Sequence, residues 1–259
     1  MLNTYQIEYI KKWDIIFVKN QNFSIIAHRG ANNIAPENTL KAFQKAIELG
    51  ADMIEFDVRK TLDEKIVISH DNTLIRITGK IGSIKNMTLN ELRELDFGEG
   101  EKIPTLEELI TLTKGKIDLN CEIKVRGIEQ KLVDIFRNAD LLDSILISSF
   151  KNDVLIKIQK IEPKIRLAAL NPSKCGWISS WISRKKIINV AKYNKFYAIN
   201  PLFKLVNKKF IKKAHHNNIK IFPWTVDSDS AITKLIKIGV DGIITNDISK
   251  VKEILNQIN

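Results

Sequence analysis

Two histidines in this chain each follow directly on a run of apolar, β-branched residues: His28 closes "SIIAH" and His70 closes "IVISH". Imidazoles titrate near neutral pH, so a pair delivered by strand ends suits acid and base work on one substrate. Arg29 follows the first of them. Its fork of donors matches the oxygens of a phosphate, and equally those of a neighbouring carboxylate. Acidic residues fall in comparable places. In "MIEFDV", Glu55 and Asp57 alternate with Ile54, Phe56 and Val58; in "LNCEIKV", Glu122 and Lys124 alternate with Cys121, Ile123 and Val125. Side chains two apart in a strand share a face, so these carboxylates and the lysine project opposite to the apolar set. A buried ion without a partner costs on the order of several kcal/mol. The arrangement therefore calls either for internal ion pairs, Lys124 with Glu122 being the nearest, or for a divalent cation. Oxygen ligands select Mg²⁺, Ca²⁺ or Mn²⁺ over zinc.

A cation beside two imidazoles and a guanidinium is the equipment of phosphoryl chemistry, in which charge on the phosphate is neutralised while protons move on either side of it. Asn38 opens the helix that follows "APEN". It reads as a helix cap or, with the helix N-terminus, as a donor to an anion. Trp224 in "FPWTVD" ends another strand, as core or as the wall of a substrate site. His215 and His216 lie late in a Lys-rich helical stretch and read as surface residues.

These residues need a scaffold, and the hydrophobic pattern supplies one. Ser24–His28 reads as a first strand and 52–58 as a second, with a helix from Asn38 to Leu49 between them, ended by Gly50. Further strands are expected at 117–124, 145–149, 165–170, 197–200, 219–225 and 242–245. Helices are expected at 128–138, 153–161, 184–193, 207–217, 231–238 and 247–258. Alternating units of this kind give a parallel sheet with helices outside, and eight of them in ~250 residues is the size of a closed (β/α)₈ TIM barrel. No G-x-G-x-x-G follows the first strand to favour an open dinucleotide-binding sheet. Residues 65–116 break the alternation with a return strand, a turn-rich excursion and two capping-box patterns, Thr88/Glu91 and Thr105/Glu108. They read as an insertion over the barrel mouth after the second strand. The whole of 1–259 reads as a single domain, with 1–22 an N-terminal extension.

Composition narrows the class. The 259 residues are 44% hydrophobic and 27% charged, ordinary for a globular chain. No window holds the ~18 consecutive apolar residues of a membrane span, and the charged N-terminus lacks a signal-peptide core, which makes the cytoplasm the expected location. The two cysteines, Cys121 and Cys175, fit neither a disulfide framework nor a zinc site. The net charge of +11 comes mostly from scattered lysines, with no nucleic-acid-binding motif, so no nucleic-acid partner is expected. Trp177 and Trp181 would share a helix face ahead of Arg184, Lys185 and Lys186, either as a barrel-capping helix or as a peripheral membrane contact.

The stretch "AHRGANNIAPENTLKAFQKAIELGADMIEFDVRKTLDEKIVISHDNTLIRITG" resembles the opening of the glycerophosphodiester phosphodiesterase family. The likeness continues through "MTLNELRELDFG", "IPTLEELI", "CEIK", "WTVDS" and "GVDGIITND". It implies a TIM barrel with a small insertion after the second strand. It also implies Glu55, Asp57 and Glu122 as ligands of Mg²⁺ or Ca²⁺, and His28 and His70 as the acid–base pair. By the same resemblance Arg29 and Lys124 would contact the phosphate, Asn38 would support the site, Glu37 would orient Arg29 or its loop, and Trp224 would line the alcohol or glycerol side. The implied products are sn-glycerol 3-phosphate and an alcohol. Three rivals remain at this point: cleavage of lysophospholipids in the manner of a phospholipase D, a barrel that binds phosphodiesters or lipids without turnover, and a Schiff-base enzyme using Lys124.

Overall fold

The computed structural model of the protein describes residues 23–170 and 177–258, with backbone alone over 177–183. The N-terminal extension, residues 1–22, lies outside these described residues, as do the segment 171–176 and the side chains of Trp177 and Trp181, on which a lipid contact would depend. In chain order the first half runs β1 (Ser24–His28), α1 (Leu40–Glu48), β2 (Met53–Lys60), β3 (Ile66–Ile68), α2 (Ile75–Thr78), α3 (Leu89–Arg93), α4 (Leu106–Thr113), β4 (Asp118–Ile123) and α5 (Glu129–Asn138). The second half runs β5 (Ile145–Ser149), α6 (Asn152–Ile161), β6 (Arg166–Leu170), α7 (Trp177–Tyr193), β7 (Ala198–Asn200), α8 (Lys208–His215), β8 (Lys220–Ile221), α9 (Asp229–Ile238), β9 (Gly242–Thr245) and α10 (Ile248–Ile258).

The sheet has the order β8-β7-β6-β5-β4-β2-β1-β9, all parallel, with β3 added antiparallel to β2. Consecutive βα units thus pair side by side. The expected strand at 219–225 survives as a regular ladder only over Lys220–Ile221, because Pro223 has no N–H to give. Closure is made instead by single backbone bonds: Asp241 N to Ile221 O (3.1 Å), Ile244 N to Pro223 O (2.9 Å) and Val226 N to Ile244 O (3.0 Å). Asp241 braces the same join, accepting from Ile221 N at 2.8 Å and pairing with His215 Nε2 at 2.8 Å, so His215 is not the idle surface residue its Lys-rich setting suggests. The result is a TIM barrel.

Side chains sort by the period of two. Ile54, Phe56, Val58, Cys121 and Ile123 are buried beneath the helices in the main core. Ile26, Met53, Leu146, Ala168, Ala198, Phe222 and Ile244 fill the barrel interior below the site. The next inward positions toward the C-terminal ends of β2 and β4 are Glu55, Asp57 and Glu122. The excursion after β3 has a small core of its own around Leu74, Ile84, Leu92, Phe97 and Ile103. Both capping boxes form, at Thr88/Glu91 and Thr105/Glu108. The second begins α4, whose Leu106 and Leu109 join the main core as a ring helix of the barrel.

Helix α1 is capped by Thr39, whose hydroxyl accepts from Ala42 N at 3.2 Å, and not by Asn38. Asn38 instead sits in the left-handed region (φ 58°), a turn that an asparagine tolerates better than most residues. The loop before it is equally tight. Gly30 has φ +82°, and a Cβ there would stand 2.7 Å from the Ala42 carbonyl carbon, so glycine lets the loop lie directly on α1.

Candidate active site

At the C-terminal end of the barrel a cavity of about 230 Å³ is walled on one side by His28, Arg29, Glu55, His70, Glu122 and Lys124. Phe150 and Trp224 face them, their rings meeting edge to face at 5.7 Å. Trp224 is aimed by its indole N–H, which donates to the Asn200 carbonyl at 2.8 Å. The sequence residues therefore converge, with two placed behind the wall. Asp57 lies just beneath, 1% exposed. The Asn38 amide donates to Asp57 Oδ2 at 2.9 Å and lines no part of the cavity.

One carboxylate oxygen from each of Glu55, Asp57 and Glu122 lies within 4.8 Å of the others, and all three residues are buried. Burial, then the charges of Asp57 and Glu122, push the Glu55 carboxyl well above the usual range. Burial and Asp57 push Glu122 up to about 7. Burial works in the same direction on Asp57, but Lys124 and Arg29 outweigh it and hold that carboxyl at about 2. Lys124 Nζ lies 2.9 Å from Asp57 Oδ1 and also contacts Glu122, while Arg29 Nε lies 3.3 Å from Asp57 Oδ2. These cations do not complete the site. Among the described residues, Asp57 Oδ1 and Glu122 Oε1 are buried and meet the Lys124 ammonium alone, which leaves each with a lone pair to give. Three converging acids with two of them forced toward the neutral form, and lone pairs left over, fit a divalent cation bound by oxygen.

Arg29 is turned inward by its own backbone. With φ 59° its N–H donates to Glu55 Oε2 at 3.0 Å, and its guanidinium donates to Glu37 Oε1 at 3.0 Å. Glu37 also accepts from both terminal nitrogens of Arg76 on α2, at 3.1 and 2.6 Å. Arg76 Nε in turn pairs with Asp71, which accepts at 2.7 Å from His70 Nδ1. Arg29 thus makes the carboxylate pairs that its sequence position allowed for, while still facing the cavity.

The two imidazoles differ in their partners. His28 Nδ1 is 2.7 Å from the neutral amide oxygen of Asn246; burial, then Arg29, bring its pKa down to about 4. His70 Nδ1 meets the Asp71 carboxylate; burial still lowers its pKa, with Asp57 and Asp71 pulling the other way. Reading strands from the sequence did not single out Asn246, Asp71, Arg76 or Phe150. The signals were present: Asp71 is the residue after His70, and the alternation of "GIITN" puts Asn246 on the face of Ile244.

Comparison with known proteins bears on this geometry. Residues 28–250 match the glycerophosphoryl diester phosphodiesterase family. A glycerophosphodiester phosphodiesterase of Caldanaerobacter subterraneus subsp. tengcongensis is 38% identical over 236 residues, covering 86% of this chain and 93% of the relative. One from Bacillus altitudinis is 33% identical over 236 residues, covering 86% of this chain and 94% of its own. Among solved structures, an Oleispira antarctica phosphodiesterase in complex with the product sn-glycerol-3-phosphate superposes with a TM-score of 0.76 at 26% identity, covering 90% of this chain and 96% of that one. A glycerophosphodiester phosphodiesterase from Thermotoga maritima gives a TM-score of 0.75 at 27% identity, over 92% and 98% of the two chains. The match spans every strand end that delivers a side chain to the cavity, and so the chain belongs to the glycerophosphoryl diester phosphodiesterase family and is an enzyme.

Proposed function

We propose that the protein hydrolyses glycerophosphodiesters to sn-glycerol 3-phosphate and an alcohol, with Glu55, Asp57 and Glu122 holding a divalent cation. The observation that carries this is the placement of two imidazoles with unlike partners on the rim of one buried carboxylate triad. When bound, the cation neutralises charge on the phosphate and orients it. Arg29 and Lys124 face the same space and would bind the remaining phosphate oxygens, Arg29 through its fork and Lys124 as a point charge. Asn38 acts one step back by holding Asp57.

His28, backed by a neutral amide and depressed by burial, is suited to take the proton from the attacking hydroxyl. His70, backed by the Asp71 carboxylate, is suited to carry a proton and give it to the departing alkoxide. The attacking oxygen belongs either to water or to a glycerol hydroxyl, and either displacement uses these two proton transfers. A cyclic phosphate formed by the glycerol hydroxyl is then opened by water in a second displacement, in which His70 takes a proton from water and His28 returns one to the glycerol oxygen. Phe150 and Trp224 form an apolar wall for the glycerol or alcohol side. The sn-glycerol-3-phosphate bound in the Oleispira antarctica enzyme supports the product assignment.

Glycerophosphocholine and glycerophosphoethanolamine are expected to release glycerol 3-phosphate with Mg²⁺ or Ca²⁺ and to stop doing so with EDTA. Unchanged release after EDTA would remove the cation, and no release from folded protein would remove the substrate. The pH profile tests the base separately. His28 works only when neutral, so activity is lost as pH falls through its folded-state pKa of about 4. With saturating cation keeping the carboxylates ionised, kcat/KM should hold down to about pH 5 and fall below it. An acid limb centred near the ordinary histidine value of 6.5 that does not move with cation concentration would contradict the assignment.

A further inference from the structure

The amide of Asn246 is oriented by a charge. Asp227 accepts at Oδ1 from Asn246 N (2.8 Å) and Thr245 Oγ1 (3.1 Å), and at Oδ2 from Asn246 Nδ2 (2.7 Å). A carboxylate accepts hydrogen bonds and donates none, so the end of the Asn246 amide facing it must be the NH₂. The oxygen end is then directed at the β1 loop, where it accepts from Asn32 Nδ2 at 2.8 Å and lies 2.7 Å from His28 Nδ1. An amide oxygen cannot donate. The hydrogen in the last of these bonds therefore sits on His28 Nδ1, and in the neutral imidazole the lone pair is left on Nε2.

We propose that Asp227 and Asn246 are positioning residues that hold His28 in the Nδ1–H form, so that Nε2 is the base. This rests on His28 being the base in the reaction proposed above. The device is a relay of hydrogen-bond polarity: carboxylate, amide, imidazole, attacking hydroxyl. Reversing the first member should reverse all of it. With Asp227→Asn, an NH₂ must oppose either the Asn246 NH₂ or the Asn246 backbone N–H. Turning the Asn246 amide over removes the first clash but offers His28 Nδ1 a donor. His28 then keeps its proton on Nε2 and cannot take one from the substrate. A second change, Asn246→Asp, restores the pattern, because the new carboxylate accepts from His28 Nδ1, from Asn32 and from the amide introduced at position 227.

The test is ¹⁵N NMR of the imidazole in the full-length Mg²⁺-loaded protein together with steady-state kinetics. The wild type is expected to show the Nδ1–H tautomer for neutral His28. Asp227→Asn is expected to show Nε2–H, with kcat lower by on the order of 10²-fold and KM little changed. The double variant Asp227→Asn/Asn246→Asp is expected to regain the Nδ1–H tautomer and most of kcat. An Nε2–H tautomer in the wild type overturns the proposal without any variant. A double variant that folds but recovers neither tautomer nor rate also overturns it, as does an Asp227→Asn enzyme that keeps both while His28→Ala is inactive. An active His28→Ala enzyme would instead overturn the parent assignment of the base.

Discussion

His28→Ala is expected to lower kcat by on the order of 10²-fold or more while leaving the melting temperature close to that of the wild type. The kinetic loss follows from the loss of the sole group proposed to take the proton from the attacking hydroxyl. The stability is expected to hold because His28 ends a strand whose register is fixed by backbone pairs to β2 and β9 and by buried Ile25, Ile26 and Ala27. The amide oxygen it leaves behind keeps a donor in Asn32. Steady-state kinetics beside a thermal melt check both halves. More than about half of the wild-type rate in a folded variant would end the assignment, since an acid or base at this position accounts for far more than a factor of two.

Glu122→Ala is expected to remove most of the turnover for a different reason, and its signature lies outside the assay. In the wild type, Mg²⁺ or Ca²⁺ should raise the melting temperature, because a ligand that binds the folded chain alone stabilises it by about 2.7 kcal/mol at 100 times its Kd. Glu122→Ala should abolish most of that increase. Without metal the variant should melt no lower than the wild type. Burial and Asp57 already force Glu122 upward, so its removal relieves a repulsion, and Lys124 retains Asp57 at 2.9 Å. A calorimetric titration gives the same comparison directly. Wild-type metal affinity in the variant, or a rate above about half, would separate Glu122 from the cation.

The elements of the barrel were readable because strand periodicity and capping chemistry are local. "SIIAH", "ILISS" and "GIIT" end in the structure where their apolar runs end, and Thr88 and Thr105 form the boxes their spacing implies. The strand around Pro223 was readable only in part, since a proline's missing N–H leaves closure to isolated bonds whose partners lie on another strand. The inward acids were legible for the same reason as the strands. What surrounds them was not. The Asn246 contact to His28 joins residues 218 apart, and the Arg76–Glu37 pair joins residues 39 apart. Nothing within a window of sequence encodes which of many polar side chains a fold will bring against an imidazole. Asn38 shows the limit at short range: a cap and a left-handed turn residue look alike until the neighbouring Thr39 takes the capping role.

The two imidazoles are carried by separable parts of the molecule. His28 belongs to the barrel wall, whereas His70 follows β3, a strand that pairs antiparallel with the end of β2, bridges Thr105 through Val67 and leads into the small satellite core. Its carboxylate, Asp71, and the Arg76 that steadies it travel in the same excursion, tied back to the barrel through Glu37. A graft of this excursion between relatives would therefore carry across the proposed acid, while the proposed metal ligands and base stayed with the recipient. If those roles hold, the architecture sets a modular cut between phosphate activation and leaving-group handling, and grafted variants should change preference for the alcohol group while keeping the wild-type cation affinity.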